Sequence, residues 1–200
     1  MKIWPLLRVL GALIVLVAAP VLAQDDTTLT VIAHDNFAYT EDVLNAFTEE
    51  TGIQVDVLRL GDAGSVVNQA ILSRDNPLGD VLYGVDNTFL GRALEADLFI
   101  PYESPALADV PDEFEIDPEH RVTPIDYGDV CLNYDTAYFT ENELEPPDSL
   151  DDLIDPAYRS LLVVENAATS SPGLAFLLTT IGVYGEDGDY TYLDYWADLV

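Results

Sequence analysis

Leu29-Thr30-Val31-Ile32-Ala33-His34-Asp35-Asn36-Phe37-Ala38-Tyr39 sets the frame for the whole chain. Its first five residues form a short β-branched run, read as a buried strand. The polar and aromatic residues that follow read as the loop leaving that strand. Thr40 to Thr51 then places Val43, Leu44 and Phe47 on one helical face, and Gly52 is a stop signal. Val55, Val57 and Arg59 alternate as a second strand, and Ser65 to Arg74 reads as a helix. Asp80 to Tyr83 is a third strand and Thr88 to Ala96 a third helix. Strands alternating with helices predict an α/β unit with a largely parallel sheet.

Residues 101–121 change character. Prolines at 101, 105, 111 and 118 with acids between them predict an irregular, solvent-facing connection. Beyond it, strands are predicted at Val130–Tyr134 and Leu161–Val164. Helices are predicted at Ser149–Ile154, capped by Asp148 or Ser149, and at Ser171–Tyr184, with Pro172 in the first turn. Tyr190 to Val200 has helical apolar spacing. This second set suggests a second lobe. The predicted organisation is a first lobe over 24–123, a crossing over 124–128 and a second lobe over 129–200.

Residues 1–23 stand apart. Lys2 and Arg8 precede an uncharged apolar run, Val9 to Val17, and Val21-Leu22-Ala23 is a small-residue cleavage pattern ahead of Gln24-Asp25-Asp26. This predicts a signal peptide cut after Ala23, and so export. The apolar run is shorter than the roughly 20 residues of a spanning helix, and Pro20 interrupts it. No stable membrane insertion is therefore expected after cleavage.

Charge and composition exclude several classes. The 200 residues carry 37 acids against 7 Lys and Arg, a formal charge of −30. Without residues 1–23 the balance is five Arg and the same 37 acids, a net of −32. A nucleic-acid binder that neutralises phosphates is excluded. Hydrophobic residues at 49% are too many for an acidic disordered tail. One cysteine permits neither an internal disulfide nor a cysteine-based zinc site. No nucleophile elbow, paired-histidine or P-loop motif is present, and His34 and His120 are isolated. Asp187-Gly188-Asp189 lacks the ligand series of a calcium loop and reads as a turn. No metal site or cofactor is expected, and no enzyme activity.

Three loops carry candidate binding chemistry. His34, Asp35 and Tyr39 follow the first strand, where open α/β sheets bind ligands; the alternative is a turn in which Asp35 or Asn36 caps a helix. Gly61-Asp62-Ala63-Gly64-Ser65 follows the second strand. Its small residues allow close backbone approach and Asp62 supplies a carboxylate; the alternative is Asp62 or Ser65 as a cap. Thr169-Ser170-Ser171-Pro172-Gly173 opens the long helix with hydroxyls and free N–H groups, an arrangement suited to anions; the alternative is Ser171 as a cap alone. Together the loops offer an acid from one lobe and an anion cradle from the other.

The chain resembles the thiamine-binding branch of the type II solute-binding proteins of ABC importers. The resemblance rests on Leu29-Thr30-Val31 with Asp35-Asn36-Phe37, Leu60 through Asn68, and Asp80 through Asn87. It continues through Pro124 to Gly128, Asn133-Tyr134-Asp135, Pro146 through Leu150 and Thr169 through Leu174. It implies two α/β lobes joined by a hinge, an interlobe cleft for thiamine or its phosphates, and delivery to a permease by a monomer. By matched position, Asp62 and Ala63 correspond to the pair contacting the pyrimidine side. Ser170 and Ser171 correspond to the hydroxyls at the phosphate or hydroxyethyl end, and Asp126 and Tyr127 lie in the hinge. Two departures stand out: His34 occupies the place of a stacking Tyr, and Ala63 that of a Gly. The family's further Trp and Tyr motifs fall past residue 200, so a missing C-terminal portion is expected. Another type II binding protein, for iron or a polyamine, is the alternative, and a secreted hydrolase using two carboxylates is a third.

Overall fold

Residues 27–200 are described by a computed structural model; the expected signal peptide lies outside the described residues. Strands β1 (Thr28–Ala33), β2 (Gln54–Arg59) and β3 (Val81–Tyr83) form a parallel sheet in the order β2-β1-β3. Ala33 pairs with both Arg59 and Tyr83, so the three strands end level with one another. Their carboxyl ends form one edge, from which the segments beginning at His34, Leu60 and Gly84 depart.

Helix α1 (Glu41–Thr51) ends at Gly52, as expected. Gly52 has φ of 75°, a left-handed conformation that costs glycine little, and its N–H bonds the Thr48 carbonyl. Helix α2 (Ala63–Leu72) begins two residues before the predicted Ser65, with Asp62 at its N-cap position. Val66 and Val67 of α2 are fully buried, each contributing about 1.5–3 kcal/mol by burial. Val66 packs with Ile32 and Ala70 beneath the sheet, while Val67 packs with Phe89 and Ala93 of the segment containing α3 (Leu90–Glu95).

The 101–121 segment is irregular, with short 3-10 turns at Pro105–Asp109 and Asp112–Phe114. It is not wholly solvent-facing, which corrects the sequence expectation. Leu107 is buried, and so is Asp117. The Asp117 carboxylate accepts Nε and Nη2 of Arg121 at 3.1 and 2.8 Å and its backbone N–H at 2.8 Å. These bonds outweigh the cost of burial and hold its carboxyl down at about 2. A charge run can therefore place one member inside when its counterion lies four residues away.

The second half departs further from expectation. Neither predicted strand forms a ladder: residues 129–134 run without one, leaving Val130, Leu132 and Tyr134 exposed, and Val163 is exposed as well. The alternating pattern suits a strand, but no strand among the described residues pairs with it. Short elements follow: helix α4 (Thr136–Glu141), capped by Asp135, and a 3-10 turn at Asp152–Ile154. Around that turn Asp152 accepts the N–H groups of Asp148 and Ser149, and Ser149 Oγ accepts that of Asp152. Asp187–Asp189 lies within a bend.

Helix α5 (Ser171–Tyr184) matches its predicted range, and α6 (Tyr192–Leu199) starts with a Thr191/Asp194 capping box. The two helices pack through a T-shaped Phe176–Trp196 contact and stacked Tyr184 and Tyr195, whose centroids are 4.5 Å apart. Burial pushes the Tyr195 phenol up to about 12, and its hydroxyl donates to the Leu150 carbonyl. The first turn of α5 also reaches the sheet-bearing unit, where Leu174 packs against the Val67–Phe89–Ala93 cluster. No helix among the described residues is long and apolar enough to cross a membrane.

Candidate functional site

The three loops singled out in the sequence meet at the carboxyl edge of the sheet. Asp35 joins the first two. Its N–H donates to the Gly61 carbonyl at 2.9 Å, and its Oδ1 accepts the Gly61 N–H at 3.1 Å. Gly64 joins the second to the third by donating to the Thr169 carbonyl at 3.0 Å. A Cβ on Gly64 would lie 2.9 Å from that carbonyl oxygen and against the Phe89 ring, so glycine is what allows the approach.

The predicted residues divide into committed and free groups. Asp35 is engaged with Gly61. Tyr39 has the Arg59 guanidinium over its ring at 5.3 Å, a cation–π contact, and Arg59 Nη2 also donates to the Phe37 carbonyl. Ser170 is buried and is the actual cap of α5: its Oγ accepts the Gly173 N–H at 3.3 Å and donates to the Glu165 carboxylate. The cap expected at Ser171 thus falls one residue earlier, because Ser171 already has helical geometry. Ser171 Oγ is buried and has no partner. Asp62 stands at the N-cap of α2, yet its exposed carboxylate makes no capping bond. Asp86 instead holds the turn that leads into α3, accepting the N–H and hydroxyl of Thr88 and the N–H of Phe89. Ala63 opens α2 beside Asp62, with no side-chain function beyond its small size.

Aromatic rings form a wall at the same edge. Phe37 and Tyr83 lie 4.3 Å apart between centroids, and His34 and Tyr83 5.8 Å apart. The Tyr83 hydroxyl donates to Asp126 Oδ2 at 2.9 Å, tying the 124–128 segment to the sheet. Burial, then the Asp126 bond, raises the Tyr83 phenol above its ordinary value. Tyr127 stacks on Phe114 at 4.7 Å, so consecutive side chains hold this segment in two directions. Sequence reasoning missed Tyr83 as a site residue and Arg59 as the neighbour of Tyr39. Both end strands at the carboxyl edge, and that position was the available signal.

Carboxylates are spread along these segments, with Asp35 held by Gly61, Asp126 by Tyr83 and Glu165 by Ser170, while Asp62 is exposed and Arg59 is already engaged. Such an edge suits a cation, with aromatic faces beside acids. A separate open concavity of about 420 Å³ lies in the 103–120 segment, beside Glu103, Asp112 and His120. The three loops contribute nothing to its lining, so the candidate chemistry and this hollow do not coincide. Among the described residues no group of three or more His, Cys, Asp or Glu side chains could hold a metal ion.

Comparison with known proteins agrees with this geometry. Residues 76–199 match the sequence profile of the bacterial extracellular solute-binding proteins. The thiamine-binding periplasmic protein of Escherichia coli (strain K12) is 32% identical over 183 residues, covering 88% of this chain and 52% of that protein. The chain therefore spans about half the length of the curated relatives it matches. The solved periplasmic binding protein P5PA superposes with a TM-score of 0.67 at 19% identity, covering 87% of this chain and 55% of that one. A periplasmic thiamin binding protein gives 0.64 at 25% identity, covering 88% and 54%. Its parallel α/β architecture is that of type II periplasmic binding proteins, and with most of its length inside the family profile the chain belongs to the bacterial extracellular solute-binding proteins, whose role is to bind solutes.

Proposed function

We propose that this protein captures thiamine or a thiamine phosphate outside the cytoplasm and hands it to an ABC permease. The observation that carries the reading is the uncapped, exposed Asp62 carboxylate at the carboxyl edge of the sheet, the edge where His34, Phe37 and Tyr83 form an aromatic wall. Thiamine has a permanently cationic thiazolium, which aromatic faces attract. Its aminopyrimidine donates hydrogen bonds that a carboxylate accepts, and its hydroxyethyl arm suits a serine hydroxyl. The names of the relatives support the same ligand.

In this reading residues 24–123 and 129–200 belong to two lobes, and Asp126 and Tyr127 sit in the hinge between them. Ligand favours the closed arrangement, which the permease recognises. His34, Asp35, Asp62, Ala63 and Ser171 line the ligand, with Tyr39 and Ser170 supporting them. The protein acts as a periplasmic monomer, with no catalytic step and no cofactor besides its ligand.

Calorimetric titration of the chain with thiamine, spermidine and ferric citrate tests this. The expected result is saturable thiamine binding at micromolar concentration, without comparable heats from the other two. Saturable spermidine or iron binding in place of thiamine overturns it.

A further inference from the structure

The loop over residues 34–39 and the exit of β3 pack as one unit. Gly84 has φ of 99°, and a Cβ there would collide with the His34 ring, so glycine is what lets that ring settle over the strand exit. One residue earlier, the Tyr83 ring lies 4.3 Å from Phe37 and 5.8 Å from His34 between centroids. The tip of the same side chain reaches out of this unit, and its hydroxyl donates to Asp126 Oδ2 at 2.9 Å. Tyr83 thus touches the loop with its ring and the 124–128 segment with its hydroxyl. That segment depends on side-chain anchors. Among the described residues it makes no backbone hydrogen bond, and Ile125, Asp126 and Tyr127 are exposed. It is anchored by the Tyr83–Asp126 bond and by the stacking of Tyr127 on Phe114. Anchors on consecutive residues fix its direction, and loss of one leaves it free to turn about the other.

We infer that Tyr83 is a positioning residue that relays the conformation of the 34–39 loop to the 124–128 segment. The phenol is rigid, so a shift of Phe37 or His34 that tilts the ring moves the hydroxyl at its tip. A hydrogen bond fails beyond about 3.5 Å, so from 2.9 Å a displacement of less than about 1 Å breaks it. The bond is therefore an element with two states, made and broken, and the loop biases which one is populated. The relay goes beyond the functional reading above, because it holds whichever solute orders the loop.

The test measures spin-label distances by pulsed EPR in the solute-free chain, with its single cysteine removed as Cys131→Ser. One label pair, Gly128→Cys with Leu72→Cys, spans the segment and α2; a Cβ at Gly128 meets open space and Leu72 is exposed. The second pair, Glu49→Cys with Leu72→Cys, joins exposed sites on α1 and α2 and controls for general loosening. Tyr83→Phe keeps the ring and removes the hydroxyl. Asp126→Ala breaks the same bond from an exposed position and leaves the aromatic wall in place. Both should cost the first pair its narrow distance distribution and leave the second pair unchanged. Phe37→Leu, which does not touch the bond, should broaden the first pair as well, and should add nothing in the Tyr83→Phe background. An unchanged first pair in Tyr83→Phe, in Asp126→Ala or in Phe37→Leu overturns the inference. So does further broadening by Phe37→Leu in the Tyr83→Phe chain, or equal broadening of both label pairs. None of these outcomes bears on thiamine capture, which the calorimetric titration decides separately.

Discussion

Asp62 and Asp86 show how much a residue's role depends on one hydrogen bond. Both precede a helix and both are of a residue type favoured in caps. Asp86 accepts two N–H groups and a hydroxyl, whereas Asp62 leaves its carboxylate open at the carboxyl edge. The two alanine variants should therefore diverge. Asp86→Ala is expected to cost about 1 kcal/mol in urea unfolding with little effect on thiamine affinity. Asp62→Ala should stay within about 0.5 kcal/mol of wild-type stability and weaken thiamine binding by at least about tenfold. Equal losses of affinity in the two would make Asp62 a cap and nothing more. The candidate residues Asp62, Ser170 and Ser171 were legible in the sequence because small and hydroxyl residues cluster after a strand or before a helix. Which of them is free was not legible. Ser170 takes the cap from Ser171 because its own backbone is extended, with φ −109° and ψ 130°, and Ser171 is the first helical residue.

At the scale of elements, the site exists because α2 and the 165–173 loop approach within hydrogen-bonding distance. Gly64 makes that approach possible through its contact with Thr169, and Leu174 reinforces it by packing on the Val67–Phe89–Ala93 cluster. Gly64→Ala should push α2 away from the loop and from Phe89. A loss of about 1–3 kcal/mol in thermal or urea unfolding is expected, with weaker thiamine binding than the stability loss alone would produce. Unchanged stability would mean that the loop yields without cost. The strands and helices of the first half follow their sequence pattern closely, since each carries its own apolar face and stop signal. The 130–134 and 161–164 segments do not form the predicted strands, although their residues favour extended backbone. Strand propensity describes a side chain's fit to a pleated surface, and a ladder forms only where a second strand is present.

For the whole molecule, order is concentrated in two places. One is the sheet with α2 and the segment bearing α3; the other is the α5–α6 pair, held by Tyr195, Trp196 and Thr180. Between them, Ile125, Tyr127, Val130, Leu132 and Tyr134 are exposed and lack a ladder. Amide hydrogen exchange should be slowest in β1, α2 and the middle of α5. It should be fastest across 125–134 and 162–166, where backbone hydrogen bonds are sparse. Protection across 129–134 equal to that of β1 would contradict the architecture described here. The sequence by itself determined the alternating α/β order, the parallel sheet, the range of α5 and the position of the three loops. These depend on periodicity, caps and stops carried within each short segment. Only the tertiary structure decided that Asp35, Tyr39 and Ser170 are engaged by the protein, while the Asp62 carboxylate is exposed and uncapped and the Ser171 hydroxyl is buried without a partner. It also placed Tyr83 against Asp126 across 43 residues of chain. Those outcomes depend on which distant groups meet, and local pattern carries no information about a partner supplied from elsewhere in the fold.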